Sequence, residues 1–315
     1  MIRFVYNLRK LVKKINISCP FLYDEPLSRH TSFKIGGPAE LYLCPASMDD
    51  LTLIFSLCLK ESIPFFVLGE GANILVSDRG VKGIVIDMRR FCDIEIKDTL
   101  LAAMAGTPMN QVVEEAVSRG LGGLEAFSWM PGSVGGSVWM NARCYGVSLS
   151  DVLEFVDFID SDLRERRLFM KGQEFDYKKS PFQTMTAIIT RGGFHLQMSE
   201  STQLEAKMEE YRVDRERKGH FLYPCAGSVF KNNSSFGAPT GRLIDSLGMK
   251  GLSMGGAKVS ERHANIIVNF DRATATEVRS LIEYVKQRVR EEYGFQLEEE
   301  ILFVGEWEES DVRQP

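Results

Sequence analysis

Ser228 lies between Gly227 and Val229, with Lys231 and Asn232 close behind it. A hydroxyl after glycine either makes a local bond in a turn or, helped by a neighbouring charge, gives its proton to a reacting atom. The surrounding residues are not G-x-S-x-G, so a hydrolase nucleophile elbow is not indicated. Lys178, or Lys179 beside it, offers a cation within the aromatic and basic stretch Phe175–Phe182. Glu300 is the last of three acids that open the run Leu297–Val304, either an edge acid or an acid turned into a site. Taken singly, each of these residues has an ordinary structural explanation.

Two glycine-rich stretches suggest where a ligand would sit. Pro131-Gly-Ser-Val-Gly-Gly-Ser-Val-Trp-Met-Asn141 carries three glycines and two serines, yet apolar residues flank and punctuate it, unlike a flexible linker. Such a stretch is a tight corner in a sheet or a row of N–H groups that cradles a diphosphate. A second stretch, Gly69-Glu-Gly-Ala-Asn73, favours the cradle, with Asn73 able to turn the chain and present N–H groups to a phosphate. Ile74 stands where G-x-G-x-x-G requires its third glycine, which argues against a nicotinamide-binding Rossmann domain.

The elements that must position these residues alternate between strand and helix. Ala39–Cys44 reads as a strand, 47–60 as an amphipathic helix begun by Ser47 and Asp50, and Phe65–Leu68 as a buried strand feeding the first glycine stretch. Together they form a βαβ unit. Strands are expected at 83–88, 100–106, 152–160, 165–170 and 186–191, and a short helix at 110–119 closed by Gly120. A charged helix over 203–220 leads to the last third. There the chain carries a strand at 263–269, a helix opened by the Thr274–Glu277 capping box and ended by Gly294, and a strand at 297–304.

Composition narrows the class. The 315 residues are 44% hydrophobic and 26% charged, ordinary for a globular enzyme, and the net charge of −5 disfavours nucleic acid as a partner. Six cysteines without a C-x-x-C pair and four scattered histidines indicate reduced thiols and no metal site. No apolar run is long enough to span a bilayer, and the basic segment before Ser18 lacks the apolar core of a secretory signal. A cytoplasmic protein without membrane insertion is expected.

In order, the segments HTSFKIGG, GEGANILVSD, MPGSVGGSVWMNA, YKKSPF, CAGSVFKN, GGAKVSERHANIIVN and LEEEI resemble the UDP-N-acetylenolpyruvoylglucosamine reductase family, over nearly the whole chain from about residue 20. The resemblance implies an α+β chain. It would have a FAD-binding fold of the p-cresol-methylhydroxylase type in two subdomains, and a C-terminal α/β substrate domain. Its expected boundaries are a basic helical segment at 1–20, the FAD domain at 21–195 (subdomains 21–90 and 91–195), a connector helix at 196–220, the substrate domain at 221–305 and a tail at 306–315. The implied cofactor is bound FAD. NADPH is the implied co-substrate and UDP-N-acetylglucosamine enolpyruvate the implied substrate, acted on by a monomer.

By match to the family's motifs, Gly69, Gly71, Ala72 and Asn73 form the first phosphate loop, and Pro131, Gly132, Ser133, Gly135, Gly136 and Ser137 the second. Ser228 matches the proton donor to C2 of the enolpyruvyl group after hydride addition at C3, and Glu300 the glutamate that polarises its carboxyl. Lys231 and Asn232 match residues facing the substrate diphosphate, and Tyr177 lies in the same substrate motif. The family's Tyr-Arg-x-Ser reads Tyr177-Lys178-Lys179-Ser180 here, so Lys178 replaces a bidentate arginine by a point charge, with Lys179 or water able to share the role. Arg143-Cys144 also departs from the small residues usual after Met-Asn-Ala. The chain lacks the substrate-covering insertion of one family branch. Two other functions fit parts of this pattern, a flavin oxidase or dehydrogenase with another substrate and a non-catalytic flavin or nucleotide-sugar binder. The CAGSVFKN segment and Glu300 speak against both.

Overall fold

The computed structural model describes Leu8 and residues 17–170 and 175–308. Most of the basic helical segment expected at 1–20, and the tail from 309, lie outside the described residues. The chain forms two compact units. The first takes in Ala39–Glu70 and Lys82–Glu209 with the chain up to Glu25; the second takes in Pro26–Pro38, Gly71–Val81 and the chain from Glu210 onward.

The first unit is built on two sheets. One runs in the order Phe21–Pro26, Pro38–Leu43, Val81–Asp87, Phe65–Leu68. The expected βαβ succession is present in sequence, but Val81–Asp87 lies between its two strands and pairs in parallel with the second, Leu68 opposite Asp87. Helix α1, Met48–Lys60, begins as expected, with Asp50 N–H donating to the Ser47 hydroxyl at 3.1 Å, and buries Leu51, Ile54, Phe55 and Cys58. Asp87 is fully buried and accepts from the Tyr42 hydroxyl and the Arg89 guanidinium, which neutralises a charge that could not otherwise be taken from water. That network pins the strand end from which the first glycine stretch leaves.

The other sheet is antiparallel, in the order Glu165–Phe169, Leu153–Ile159, Ile188–His195, Leu100–Met104, Ile94–Lys97. Helix α2, Met109–Ser118, buries Met109, Val112, Val113, Ala116 and Val117 in the same core. The stretch at 131–141 departs from a plain glycine turn, because Val134–Trp139 closes into a short helix, α3, whose Val134 and Val138 are buried. Helix α4, Ser201–Arg217, is mostly polar and charged but buries Leu204 in the core, and the division between the units falls within it.

The second unit holds an antiparallel sheet in the order Cys225–Ser228, Ile266–Asn269, Ala257–Val259, Ser253–Met254, together with helix α5, Thr240–Ser246. Helix α6, Ala275–Tyr293, lays Val278, Leu281, Ile282, Val285 and Val289 into the unit's core. Its capping box is formed and Gly294 ends it in the left-handed conformation. Asp78 adds a second cap, its carboxylate accepting the N–H groups of Ala275 and Thr276 at 2.8 and 2.9 Å, where the helix dipole favours negative charge. The expected strand at 297–304 is shorter than its apolar pattern. Only Leu302–Val304 is strand, parallel to Ile74–Val76, while the acids before it run alongside residues 229–231. Replacing Thr274 by Ala should cost about 1 kcal/mol, the usual worth of an N-cap hydroxyl, read as a lower urea midpoint.

Candidate active site

The first unit holds the second glycine stretch and the Tyr-Lys-Lys-Ser segment. Gly132 takes φ +138°, which an L side chain rarely adopts. Beyond it, Val134 N–H donates to the Thr107 carbonyl at 2.9 Å, Gly135 N–H to Ala105 at 2.8 Å, Ser137 N–H to Ser133 at 2.9 Å, and Gly136 N–H to the Ser133 hydroxyl at 3.4 Å. The row of free donors expected here is therefore spent inside the protein. What this stretch offers a ligand is a close surface.

Asn141, at φ +42°, fastens the segment to α3 by donating its amide to the Asp176 carbonyl at 2.9 Å and accepting the Ser150 N–H at 3.0 Å. Ser180 donates its hydroxyl to the Trp139 carbonyl at 2.7 Å, and the Gln183 amide donates to the carbonyls of Trp139 and Lys178. Lys178 is held at φ +57°, a conformation that costs a non-glycine residue about 1–3 kcal/mol and persists only where its surroundings enforce it. Lys178 and Tyr177 are half-buried, whereas Lys179 is exposed, so of the two candidate cations only Lys178 is built into the fold. Arg143 is exposed and donates to the Ser148 hydroxyl at 2.8 Å, and Cys144 Sγ lies 3.4 Å from Met130 Sδ.

The first glycine stretch is different in kind. A Cβ on Gly69 would stand 2.1 Å from the Ser133 hydroxyl oxygen and 3.2 Å from the Ser133 Cβ, so a larger residue there would have to push the serine side chain aside. Gly71 is left-handed at φ +63°. The N–H groups of Glu70, Gly71, Ala72 and Asn73 find no acceptor among the described residues. A left-handed residue inside a run of unpaired N–H groups is the geometry of an anion-binding nest. This stretch fits a diphosphate.

In the second unit five of the sequence motifs interlock. Ser32 N–H donates to the Gly71 carbonyl at 3.2 Å and the Ser32 hydroxyl to Cys225 at 2.7 Å. The Asn73 amide donates to the Glu300 carbonyl at 3.0 Å, and Glu300 N–H donates to Val229 at 2.7 Å. That bond sets Glu300 beside the residue following Ser228. Asn265 clamps the same turn, its side chain accepting the Phe230 N–H at 2.9 Å and donating to the Phe230 carbonyl at 2.8 Å. Ser228 and Glu300 are half-buried. Glu298 pairs with Lys231, and Glu299 with Lys286 of α6 at 2.6 Å, so the acids flanking Glu300 each have a cation. Asn232 accepts the Thr240 N–H at 2.9 Å.

The comparisons name what this arrangement is similar to. Residues 219–304 match the model of the UDP-N-acetylenolpyruvoylglucosamine reductase C-terminal domain, and residues 39–167 that of a FAD binding domain. The reductase of Treponema denticola is 41% identical, over 90% of this chain and 94% of its own length. That of Borrelia garinii is 37% identical over 96% of this chain and 98% of its own. The chain belongs to the UDP-N-acetylenolpyruvoylglucosamine reductase family. A crystal structure of the reductase from Thermus caldophilus superimposes with a TM-score of 0.75 at 32% identity, covering 91% of this chain and 98% of that one. The expected α+β FAD-binding fold is thus the one this reductase-family chain has, and it is a FAD-dependent oxidoreductase.

The sequence reading passed over Asn265, Asn141, Ser32 and Asp78, whose side chains bond to backbone distant in sequence. All four lie inside the quoted motifs, but no local pattern marks a polar side chain that bonds backbone far along the chain. Among the described residues no group of three or more histidines, cysteines or acids is placed to hold a metal, and no helix is long and apolar enough to cross a membrane.

Two outcomes follow from this geometry. Gly69→Ala should weaken FAD retention by roughly tenfold or more, since overpacking typically costs about 1–3 kcal/mol. Ser133→Ala in the same chain should recover part of it by removing the obstructing oxygen, with flavin fluorescence titration as the measure. Acid should act through the half-buried histidines His220 and His263. Burial, then the Arg215 charge, pushes His220 down to about 4, and burial, then Lys218 and Lys250, lowers His263, whose Nδ1 accepts the Asn265 N–H at 3.2 Å. The unfolded chain protonates first, near the ordinary 6.5, so stability is full above that value and is lost as pH falls from it toward 4. The urea midpoint should drop between about pH 7.5 and about pH 5, and His220→Gln should flatten the drop.

Proposed function

We propose that this chain reduces the enolpyruvyl group of UDP-N-acetylglucosamine enolpyruvate to give UDP-N-acetylmuramate, a precursor of peptidoglycan. The reading is supported above all by the bond that sets Glu300 beside the Ser228 turn, in a chain whose family carries this reaction in its name. It acts as a monomer, and in the cytoplasm, in keeping with six free cysteines. Its product serves cell-wall growth, and through it cell shape and division.

The nest at Glu70–Asn73 holds the FAD diphosphate through its N–H groups, with Gly71 and Ala72 at its centre. Pro131, Gly132, Ser133, Gly135, Gly136 and Ser137 supply a close surface, with Gly132 and Ser133 against Glu70 and Gly69. FAD held there would supply the hydride chemistry, carrying reducing equivalents from NADPH to C3 of the enolpyruvyl group. Negative charge then builds on the substrate carboxylate, and the protein must stabilise it while C2 gains a proton. Ser228 gives that proton from its hydroxyl. Glu300 polarises the carboxyl group from the neighbouring segment. Lys178 balances the charge as a point cation, a role that explains why its backbone is held in a costly conformation. Lys231 and Asn232 face the substrate diphosphate, and Lys231 exchanges Glu298 for a phosphate oxygen when substrate arrives. Tyr177 lines the substrate side of the same segment.

An anaerobic absorption spectrum tests the whole reading: flavin bands should bleach with NADPH and return with the enolpyruvyl sugar nucleotide. Bands that bleach and stay bleached would reassign the chain to another acceptor. Ser228→Ala should leave the bleaching intact and slow the return by about 10²–10⁴-fold, the usual worth of a positioned general acid. Lys178→Met should likewise keep bound flavin and lose most turnover; unaffected turnover would remove Lys178 from the mechanism.

A further inference from the structure

Glu70 is the first residue of the nest, where a carboxylate is at first sight misplaced. A free negative charge there would repel a diphosphate and compete with it for the N–H donors. Its carboxylate is instead committed elsewhere, accepting the Gly132 N–H of the second glycine stretch at 2.6 Å. Gly132 is the residue at φ +138°, and that backbone conformation goes with the N–H taken up by Glu70.

The contact is not isolated. Gly69 abuts Ser133, with no room for a Cβ unless the serine side chain moves, and Glu70 bonds the adjacent Gly132. Two successive residues of one stretch thus meet two successive residues of the other, in opposite chain direction. One contact needs the absence of a side chain, and the other needs a side chain that ends in an acceptor.

We infer that Glu70 is a positioning residue that straps the two glycine stretches together in the arrangement that binds the flavin diphosphate. Engaging its carboxylate with Gly132 fixes the direction in which the stretch leaves its strand. The N–H groups from Glu70 to Asn73 are then left for the anion. A hydrogen bond to a charged group is also among the stronger single restraints available to a loop. This inference rests on the proposed flavin site and deepens it.

The experiment compares FAD binding by the flavin-stripped full-length protein, the wild type beside Glu70→Ala, Glu70→Gln and Glu70→Asp, by fluorescence titration. Ala removes the acceptor, Gln keeps an acceptor oxygen without the charge, and Asp falls one methylene short. Ala and Asp should bind FAD about 10- to 100-fold more weakly, the worth of one hydrogen bond to a charged group. Gln should stay within about fivefold of the wild type, a rescue that a general loss of packing would not give. Urea midpoints of the stripped proteins report folding separately, and should the Ala variant fail to fold, the Gln and Asp pair decides. Wild-type affinity in the Ala and Asp variants would overturn the inference. So would tighter binding, which would make the carboxylate a competitor of the diphosphate, and so would equal loss in Ala and Gln. A wild type that does not take up FAD would overturn the flavin site itself, apart from anything Glu70 does.

Discussion

The hydrogen bond from Glu300 N–H to the Val229 carbonyl is the contact on which the second unit's chemistry depends. It fastens an acid near the end of the chain to the turn that carries Ser228, across some seventy residues of intervening sequence. Neither segment is a long strand, so the pairing survives by cross-bracing. Asn265 grips Phe230 from one side, and Asn73 grips the Glu300 carbonyl from the other. Side-chain amides suit this work because each donates and accepts at once, matching a backbone that needs both. Buried as they are, these bonds are expensive to leave unmade, which is what makes the cluster specific.

The first unit solves a different problem, that of bringing chain close to chain. Where Gly69 faces Ser133 a single methyl group would have to push the serine side chain aside, and at Gly132 the backbone takes a conformation that other residues rarely adopt. Around the second stretch, Trp129, Asn141 and Tyr145, with Lys178 in the segment fastened to it, are left-handed without being glycine. Such residues are tolerated only where the surrounding bonds enforce them, and here Asn141, Ser180 and Gln183 provide those bonds. The unit's large core absorbs the cost.

The two glycine stretches looked alike in sequence and differ in the structure. Both have the composition of a phosphate cradle, but only the stretch at 69–73 keeps a run of unpaired N–H groups. The other packs along Ala105 and Thr107 and closes into a six-residue helix. Composition reports that a backbone is able to take unusual angles, while the destination of each N–H depends on what passes beside it. The strand at 297–304 shows the same limit from the apolar side. Its pattern promised eight residues and only Leu302–Val304 found a partner strand, since Glu299 is drawn off to Lys286.

What the sequence determined by itself was whatever depends on near neighbours. The helix at 48–60 and its Ser47 cap, the Thr274–Glu277 box, the Gly294 stop and the order of the motifs were all legible, because periodicity, caps and turns act within a few residues. The family resemblance was legible for a related reason, since motifs are short and keep their order. Only the tertiary structure decided which strand sits between the two strands of the βαβ unit, that Lys178 rather than Lys179 is built into the fold, and that Asp78 caps a helix almost two hundred residues away. It also decided that the charge at the start of the nest is turned aside to Gly132. Each of these is a bond between distant partners, and such a bond is fixed by the register of packed elements, which no local pattern encodes.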